Sequence, residues 1–596
     1  MKKICIVILA LFIVTSCSNP EKDAQQFIDN YTAEYVKLFY ASSQAQWITN
    51  TAIKEGDTLN AYNSRIADEA FTAFTGSARN IEQARDLLKQ RDKLTPLQIK
   101  QLNAILYAAA SDPQTVPELV KEKIKANIAQ TEKLFGFSYS LDGKPITTND
   151  IDQILRTEND IAKRLKAWEA SKEVGKTLKD GLENLQRLRN ETVRALDYAD
   201  YFSYQVSDYG LTTPEMMDMM KRLNQELRPL YRELHTYARY ELAKKYKVKE
   251  VPDYLPAHWL PNRWGQDWSA MIEVKGLNTD SALATKTPEW IVKEGETFYK
   301  SLGFESLPES FWTKSNLYPY PADSSLKKNN HASAWHLDLD HDVRSLMSVE
   351  ANSEWFETAN HELGHIYYFL TYTNPDVPPM MRGGANRGFH EAMGSLMGLA
   401  AMQKPYLVGR GLIKPESKTD SIQLLLSEAL NFVVFIPFGA GTMSEFEKSL
   451  YADNLPKSEY NKKWWELVKK YQGIVPPADR GEEFCDAATK THINDDPAQY
   501  YDYALSFVIL FQLHQHIAKD ILKQNPQATN YFGNKEVGDF LRKIMVTGST
   551  KDWREVLKDA TGKEMNANAM VDYFQPLLNW LREQNKGRKY TMPETL

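Results

Sequence analysis

Glu354-Trp355-Phe356-Glu357-Thr358-Ala359-Asn360 runs without proline or glycine into His361-Glu362-Leu363-Gly364-His365, and the apolar continuation Ile366 to Leu370 predicts a buried helix. On that helix His361 and His365 stand four positions apart, so both imidazoles leave one face and can grip a single Zn²⁺. Glu362 lies beside them, where a carboxylate can take a proton from a zinc-bound water. Histidine is scarce, 11 of 596 residues, so a chance pair in this frame is rare. A catalytic zinc takes three protein ligands and keeps a fourth position for water. Thr373-Asn374-Pro375-Asp376-Val377-Pro378-Pro379 must turn. Gly383, Gly384 and Gly388 then lead into a second helix around His390-Glu391-Ala392-Met393-Gly394. A hairpin-like return of that helix against the first makes Glu391 the natural third ligand. Asp376, the other acid in the interval, sits in the proline turn and reads as a solvated loop residue.

Around this centre the pattern is helical. Arg79 to Arg91, Ile151 to Tyr204 and Pro214 to Tyr246 carry apolar residues at three- and four-residue spacing, and Thr213 before Pro214 and Glu215 reads as an N-cap. Helical patterning resumes at Ile422 to Phe432, Asn461 to Lys470, Tyr500 to Ile521 and Lys535 to Met545. Strand-like alternation is scarce. The expectation is a predominantly all-α protein with a very small sheet near the site.

Charge is nearly balanced, 72 basic against 78 acidic residues, and no basic tract is interleaved with aromatics, so nothing points to nucleic acid. At the N-terminus Lys2 and Lys3 precede an apolar run from Ile4 to Val14, too short to span a bilayer and fitting an export signal. Val14-Thr15-Ser16-Cys17 resembles a bacterial lipobox. Residues 1–16 are therefore expected to be a lipoprotein signal peptide, 17–23 a tether lipidated at Cys17, and 24–596 the functional unit. An ordinary signal peptide with an incidental cysteine is the alternative. Without the signal only Cys17 and Cys485 remain, so no disulfide is expected.

Further blocks surround the metal motif. They are Leu255-Pro256-Ala257-His258, Trp264-Gly265-Gln266-Asp267-Trp268, His331-Ala332-Ser333-Ala334-Trp335 and Gly388-Phe389-His390-Glu391-Ala392. Phe435-Ile436-Pro437-Phe438, Trp464-Trp465, Tyr471-Gln472-Gly473-Ile474 and Lys490-Thr491-His492 with Tyr500 and Tyr503 follow. In order and spacing this chain resembles the angiotensin-converting enzyme family of zinc peptidyl-dipeptidases over roughly residues 24 to 585. The resemblance implies a single two-lobed helical ellipsoid with a deep central cleft and N-terminal lid helices. It implies one Zn²⁺ per chain on His361, His365 and Glu391, with Glu362 as general base. Tyr503 would donate to the oxyanion, and His331, His492 and the Ala332 main chain would hold the substrate backbone. Phe435 and Phe507 would wall the pocket for the C-terminal residue. Gln266, Lys490 and Tyr500 would grip a free C-terminal carboxylate, which sets release of a dipeptide from short peptides. Taken singly, Lys490 reads as a solvated surface charge, Gln266 as a helix-surface amide and the two tyrosines as core residues. Their joint occurrence reverses that.

The sequence also departs from the family. Ser395 stands where an acid usually supports a zinc-bound histidine. Val468 and Asp502 replace arginines of chloride-activated members, so chloride is not expected as a cofactor. The His365–Glu391 spacing is two residues longer than in the animal enzymes, the Lys490–Tyr500 spacing one longer, and the family's disulfide cysteines are absent. The alternatives are a zinc carboxypeptidase or oligopeptidase with a different cut, or a catalytically inactive peptide-binding lipoprotein. An exported, lipid-anchored protein of the cell envelope, monomeric, is the expectation.

Overall fold

The computed structural model describes residues 19–54, 57–274, 279–321, 323–329 and 331–596. Cys17 and the expected signal peptide lie outside them. Four helices open the fold: α1 (Pro20–Thr51), α2 (Thr58–Thr75), α3 (Ala78–Leu88) and α4 (Pro96–Ala110). Asn19 caps α1 by accepting from the Lys22 N–H at 3.3 Å, and Pro20 takes the first helical position, where its missing N–H costs nothing. Pro20 to Asp23 thus form a helical turn, and the tether expected over 17–23 is shorter than its sequence boundary. This layer has its own small core of Ala24, Phe27, Ile28, Tyr31, Ala84, Leu102 and Ile105, and it meets the rest of the chain at Met380.

Three sequence boundaries shift, each for a local reason. The helical run from Ile151 to Tyr204 comprises four helices, Thr148–Thr157, Ile161–Lys172, Val174–Arg194 and Tyr201–Ser207, and Asp160 and Asp200 cap the second and fourth with their side chains. The long α5 (Thr213–Lys245) is capped by Thr212, one residue earlier than expected. Thr212 Oγ1 accepts from the Glu215 N–H at 3.4 Å and the Glu215 carboxylate accepts from the Thr212 N–H at 2.8 Å, so the box spans 212 to 215. Between the helices Tyr139–Leu141 pairs antiparallel with Lys144–Ile146 across Asp142-Gly143, whose φ values of 50° and 77° suit a tight hairpin.

Near the site β1 (Ser333–His336) pairs antiparallel with β2 (Val343–Leu346), which is the small sheet expected there. The central helix α6 (Ser353–Tyr372) starts at Asn352, whose side chain accepts from the Trp355 N–H, and stops before Asn374-Pro375. It is buried on most sides, through Phe356, Ala359, Leu363, Ile366 and Tyr368. Phe356, Leu363 and Ile366 each contribute about 1.5–3 kcal/mol when fully buried. α7 (Arg387–Ala401) returns against α6 and is itself covered by α9 (Tyr501–His516). Between them in the chain lies α8 (Ser421–Ile436), which continues through a π-helical turn, Pro437–Met443, into Ser444–Tyr451. This apolar run is mostly buried within the protein. One hydrophobic cluster extends from Leu134 to Met592, so the chain beyond the N-terminal layer shares a single core. The fold is all-α, as the sequence pattern indicated.

Candidate active site

α6 and α7 cross where two glycines face each other. A Cβ on Gly364 would stand 2.8 Å from Gly394 Cα, and one on Gly394 would stand 3.0 Å from His361 Cε1 and Nε2. Only hydrogen at both positions lets the helices approach this closely and leaves room for the His361 ring. The approach brings Glu391, three residues before Gly394, over the two histidines. His361 Nε2 and His365 Nε2 are 3.1 Å apart, and His361 Nε2 lies 3.7 Å from Glu391 Oε2. One donor atom from each of the three lies within 4.8 Å of the others. Two donors at 2.0–2.2 Å from a tetrahedral zinc are separated by roughly 3.4 Å, so the spacing fits that ion. Asp376, by contrast, is exposed in its loop.

The protonation pattern fits too. Burial lowers His361 to about 4, with His365 lowering it further and Glu391 opposing, and burial lowers His365 to about 4. Both imidazoles are therefore neutral, the form in which histidine binds metal. With Nε2 of His365 turned to the metal position, its Nδ1–H is free to donate to His390 Nδ1 at 2.7 Å. His390 is stacked on Tyr368 at 4.6 Å between ring centroids, and burial holds it well below the usual histidine range. His361 Nδ1 has Ser395 Oγ at 3.5 Å. The groups beside the two candidate ligands are thus a neutral imidazole and a hydroxyl, and Ser395 takes the place of the acid usual in the family the sequence resembles. His390 went unassigned in the sequence, although its place directly before Glu391 in the second helix was the available signal.

Glu362 is buried at the same cluster. Its Oε2 has no hydrogen-bond partner among the described residues, and burial, followed by the nearby Glu391, raises its carboxyl to about 8. An orphaned carboxylate oxygen beside three converging donors is what a water held on a metal would satisfy.

His361, Glu362, His365, His390 and Glu391 open into one cleft of about 880 Å³. His331 and Ala332 line it where the chain enters β1, and His331 is exposed there with its Nδ1 2.9 Å from the Ala332 carbonyl. Tyr503, on the first turn of α9, lies with its hydroxyl 3.5 Å from His492 Nε2. Burial raises its phenol and lowers His492 to about 4, so Tyr503 keeps its proton and His492 is neutral.

Gln266, Lys490 and Tyr500 meet at the same cleft, from segments far apart in sequence. Lys490 Nζ donates to Gln266 Oε1 at 2.9 Å, and Tyr500 OH donates to the same oxygen at 3.3 Å. Gln266 is in a loop, not on a helix surface, and Lys490 is 4% exposed, not solvated. Trp264 and Tyr500 hold the Lys490 ammonium at 4.4 and 4.9 Å from their ring centroids. Burial, then the positive charge of Arg263, lowers it to about 7. No carboxylate is within ion-pairing distance of it among the described residues. The π-helical turn after α8 sets Phe435 and Phe438 on Tyr500, at 5.6 and 5.5 Å, and Phe507 packs against Phe435 at 5.1 Å.

Val468 is buried in the helix Tyr460–Gln472. Asp502, also buried, accepts from Tyr209 OH at 2.6 Å and lies 3.4 Å from Arg387 Nε. Burial raises its carboxyl to about 7 against the pull of Arg387.

Comparison with known proteins gives one consistent answer. A family model described as angiotensin-converting enzyme matches residues 18–592. The angiotensin-converting enzyme of Theromyzon tessulatum is 30% identical over 600 residues, which covers 96% of this chain and 93% of that protein. Those of Mus musculus and Rattus norvegicus are each 29% identical over 591 residues, again 96% of this chain but 44% of their own length. The chain spans less than half of these mammalian relatives.

Proposed function

Since this chain belongs to the angiotensin-converting enzyme family and is a metallopeptidase, we propose that it is a zinc-dependent peptidyl-dipeptidase releasing C-terminal dipeptides from short peptides. The observation that carries this reading is the buried Lys490 ammonium, clustered with Gln266 and Tyr500 and without a carboxylate partner among the described residues. A cation held dry with two neutral groups is a strong site for a peptide's free C-terminal carboxylate. Its distance from the metal ligands then sets how much of the peptide lies beyond the cut.

His361, His365 and Glu391 would hold the ion, and bound Zn²⁺ would supply Lewis acidity at the scissile carbonyl and its attacking water. Glu362 removes a proton from that water as its oxygen bonds to the carbonyl carbon, and delivers the proton to the departing nitrogen as the C–N bond breaks. The Tyr503 hydroxyl donates to the carbonyl oxygen as negative charge grows on it. His331, His492 and the Ala332 main chain hold the extended peptide backbone, and Phe435, backed by Phe507, packs the C-terminal side chain. The test is mass spectrometry of a blocked tripeptide and an unblocked longer peptide incubated with residues 18 to 596, with and without a chelator. Release of a dipeptide, lost on chelation and regained with zinc, is the expected result; a single released amino acid overturns the reading of the clamp.

Chloride should have no activating effect. Asp502 puts a carboxyl group, which offers an anion no positive charge, beside Arg387, and Val468 offers none either. Activity titrated with NaCl at constant ionic strength stays flat; a saturable rise would contradict this. The Lys2–Cys17 pattern supports export and lipid anchoring through Cys17 in the cell envelope. Incorporation of labelled fatty acid, abolished by Cys17→Ser, tests that anchor.

A further inference from the structure

The cleft is not the whole of the internal space. Asp208, Ala385 and Ser549 line it, and the same three residues line a second cavity of about 470 Å³. Lys100 and Tyr107 of α4 close that chamber on one side and Trp553 on another, so it lies beneath the N-terminal helical layer. Asp208 therefore stands in the wall shared by both spaces, in the turn between the helix Tyr201–Ser207 and α5. Its residue surface is exposed although protein surrounds it, because what it faces is cavity.

The Asp208 carboxylate has no hydrogen-bond or ion-pair partner among the described residues. Its nearest cations are engaged elsewhere. Lys100 Nζ donates to the Lys551 carbonyl at 3.0 Å, and Arg387 pairs with Asp496 at 2.7 Å and Asp502 at 3.4 Å. Burial raises the Asp208 carboxyl above its ordinary range, with Lys100 and then Arg387 opposing. An unpaired anion in a cavity wall offers a charge-assisted hydrogen bond to a cation brought in by a ligand. Gln266, Lys490 and Tyr500 line the cleft but not the second cavity, whereas Asp208 lines both. With the C-terminal carboxylate fixed at the first three, the peptide's remaining residues are what extends toward Asp208.

We propose that Asp208 is a substrate-binding residue for the N-terminal part of the peptide, accepting an alkylammonium or guanidinium group, and that the second cavity houses residues beyond the cleft. This rests on the peptidyl-dipeptidase reading. The cation is either the free α-ammonium of a peptide of matching length or a lysine or arginine side chain of a longer one.

The experiment measures kcat/KM over a length series from a tripeptide upward, with a common C-terminal sequence and the amine either free or acetylated. A parallel acetylated series carries one lysine moved stepwise along the chain. At one length the free amine gains about tenfold over the acetylated peptide, and a lysine at the matching position restores the gain in the acetylated series. Asp208→Asn brings both ratios to about one, and Asp208→Lys brings them below one. A wild-type ratio near one at every length, or ratios unchanged in both variants, overturns the proposal. The acetylated tripeptide is read separately. If it releases its dipeptide while the ratios stay flat, only the Asp208 proposal fails; if it releases none, the reading beneath it fails as well.

Discussion

Glu362→Gln lowers kcat/KM for a blocked tripeptide by about 10³–10⁴-fold while the protein keeps one zinc per chain. The amide preserves the shape of the side chain but cannot take a proton, and a positioned general base contributes up to about 10⁴-fold, or roughly 5.5 kcal/mol of barrier. Metal content should not follow activity, because the converging donors belong to His361, His365 and Glu391, and Glu362 is not one of them. The substitution also removes an oxygen that has no partner in the described structure and whose acidity is already weakened by burial and by Glu391. Folding should therefore be little affected. Zinc by elemental analysis and turnover by chromatography, on the same preparation, decide the matter. Loss of zinc in step with activity would make Glu362 a structural support of the metal site, and activity within tenfold of the wild type would assign the base elsewhere.

Lys490→Met lowers kcat/KM for peptides with a free C-terminal carboxylate by about 10²–10³-fold. Removing one partner of a buried, hydrogen-bonded charge pair costs about 2–5 kcal/mol, with each 1.4 kcal/mol worth a factor of ten. Methionine keeps the packing against Trp264 and Tyr500 but has no charge. The discriminating substrate is the C-terminal amide of the same peptide, which the wild type handles poorly and Lys490→Met handles no worse. Equal losses on both substrates would mean that Lys490 only maintains the fold. Lys490 also sets a pH dependence. Its ammonium is lowered to about 7, chiefly by burial, so the free protein carries this charge below that pH and loses it as pH rises through it. KM for carboxylate peptides should rise over that window and KM for amides should not. In Lys490→Met the difference disappears.

Much of this was legible in the sequence, and the reasons are physical. The spacing of His361 and His365 is a property of any helix, and the absence of breakers before them made the helix predictable. Glu391 followed from the proline turn and the glycines after it, which oblige the chain to return. Lys490, Gln266 and Tyr500 could be assigned only jointly, through resemblance. Each alone has a commoner structural reading, and their proximity depends on packing across the whole chain. Smaller signals were present but misread. Thr212 and Glu215 form the capping box, yet Thr213 stands directly before the proline and was preferred. Asp142-Gly143 is a hairpin turn within a half that otherwise reads as helix.

By itself the sequence determined the helical class and pointed to a metal-ligating triad with a neighbouring base, and resemblance added the residues that would answer a C-terminal carboxylate. Helix periodicity, breaker residues and ligand chemistry are local properties of the chain, whereas the carboxylate-binding residues were reached only through resemblance. Tertiary structure alone decided the rest. It showed that Gly364 and Gly394 let two helices approach closely enough for the donors to converge, and that His390 and Ser395 stand against the two histidines. It showed Lys490 buried and Asp208 lining two cavities, neither with an ion-pair partner among the described residues. Those are statements about distance and solvent between residues hundreds of positions apart. No local pattern encodes them, because burial and charge balance arise only when the whole core has closed.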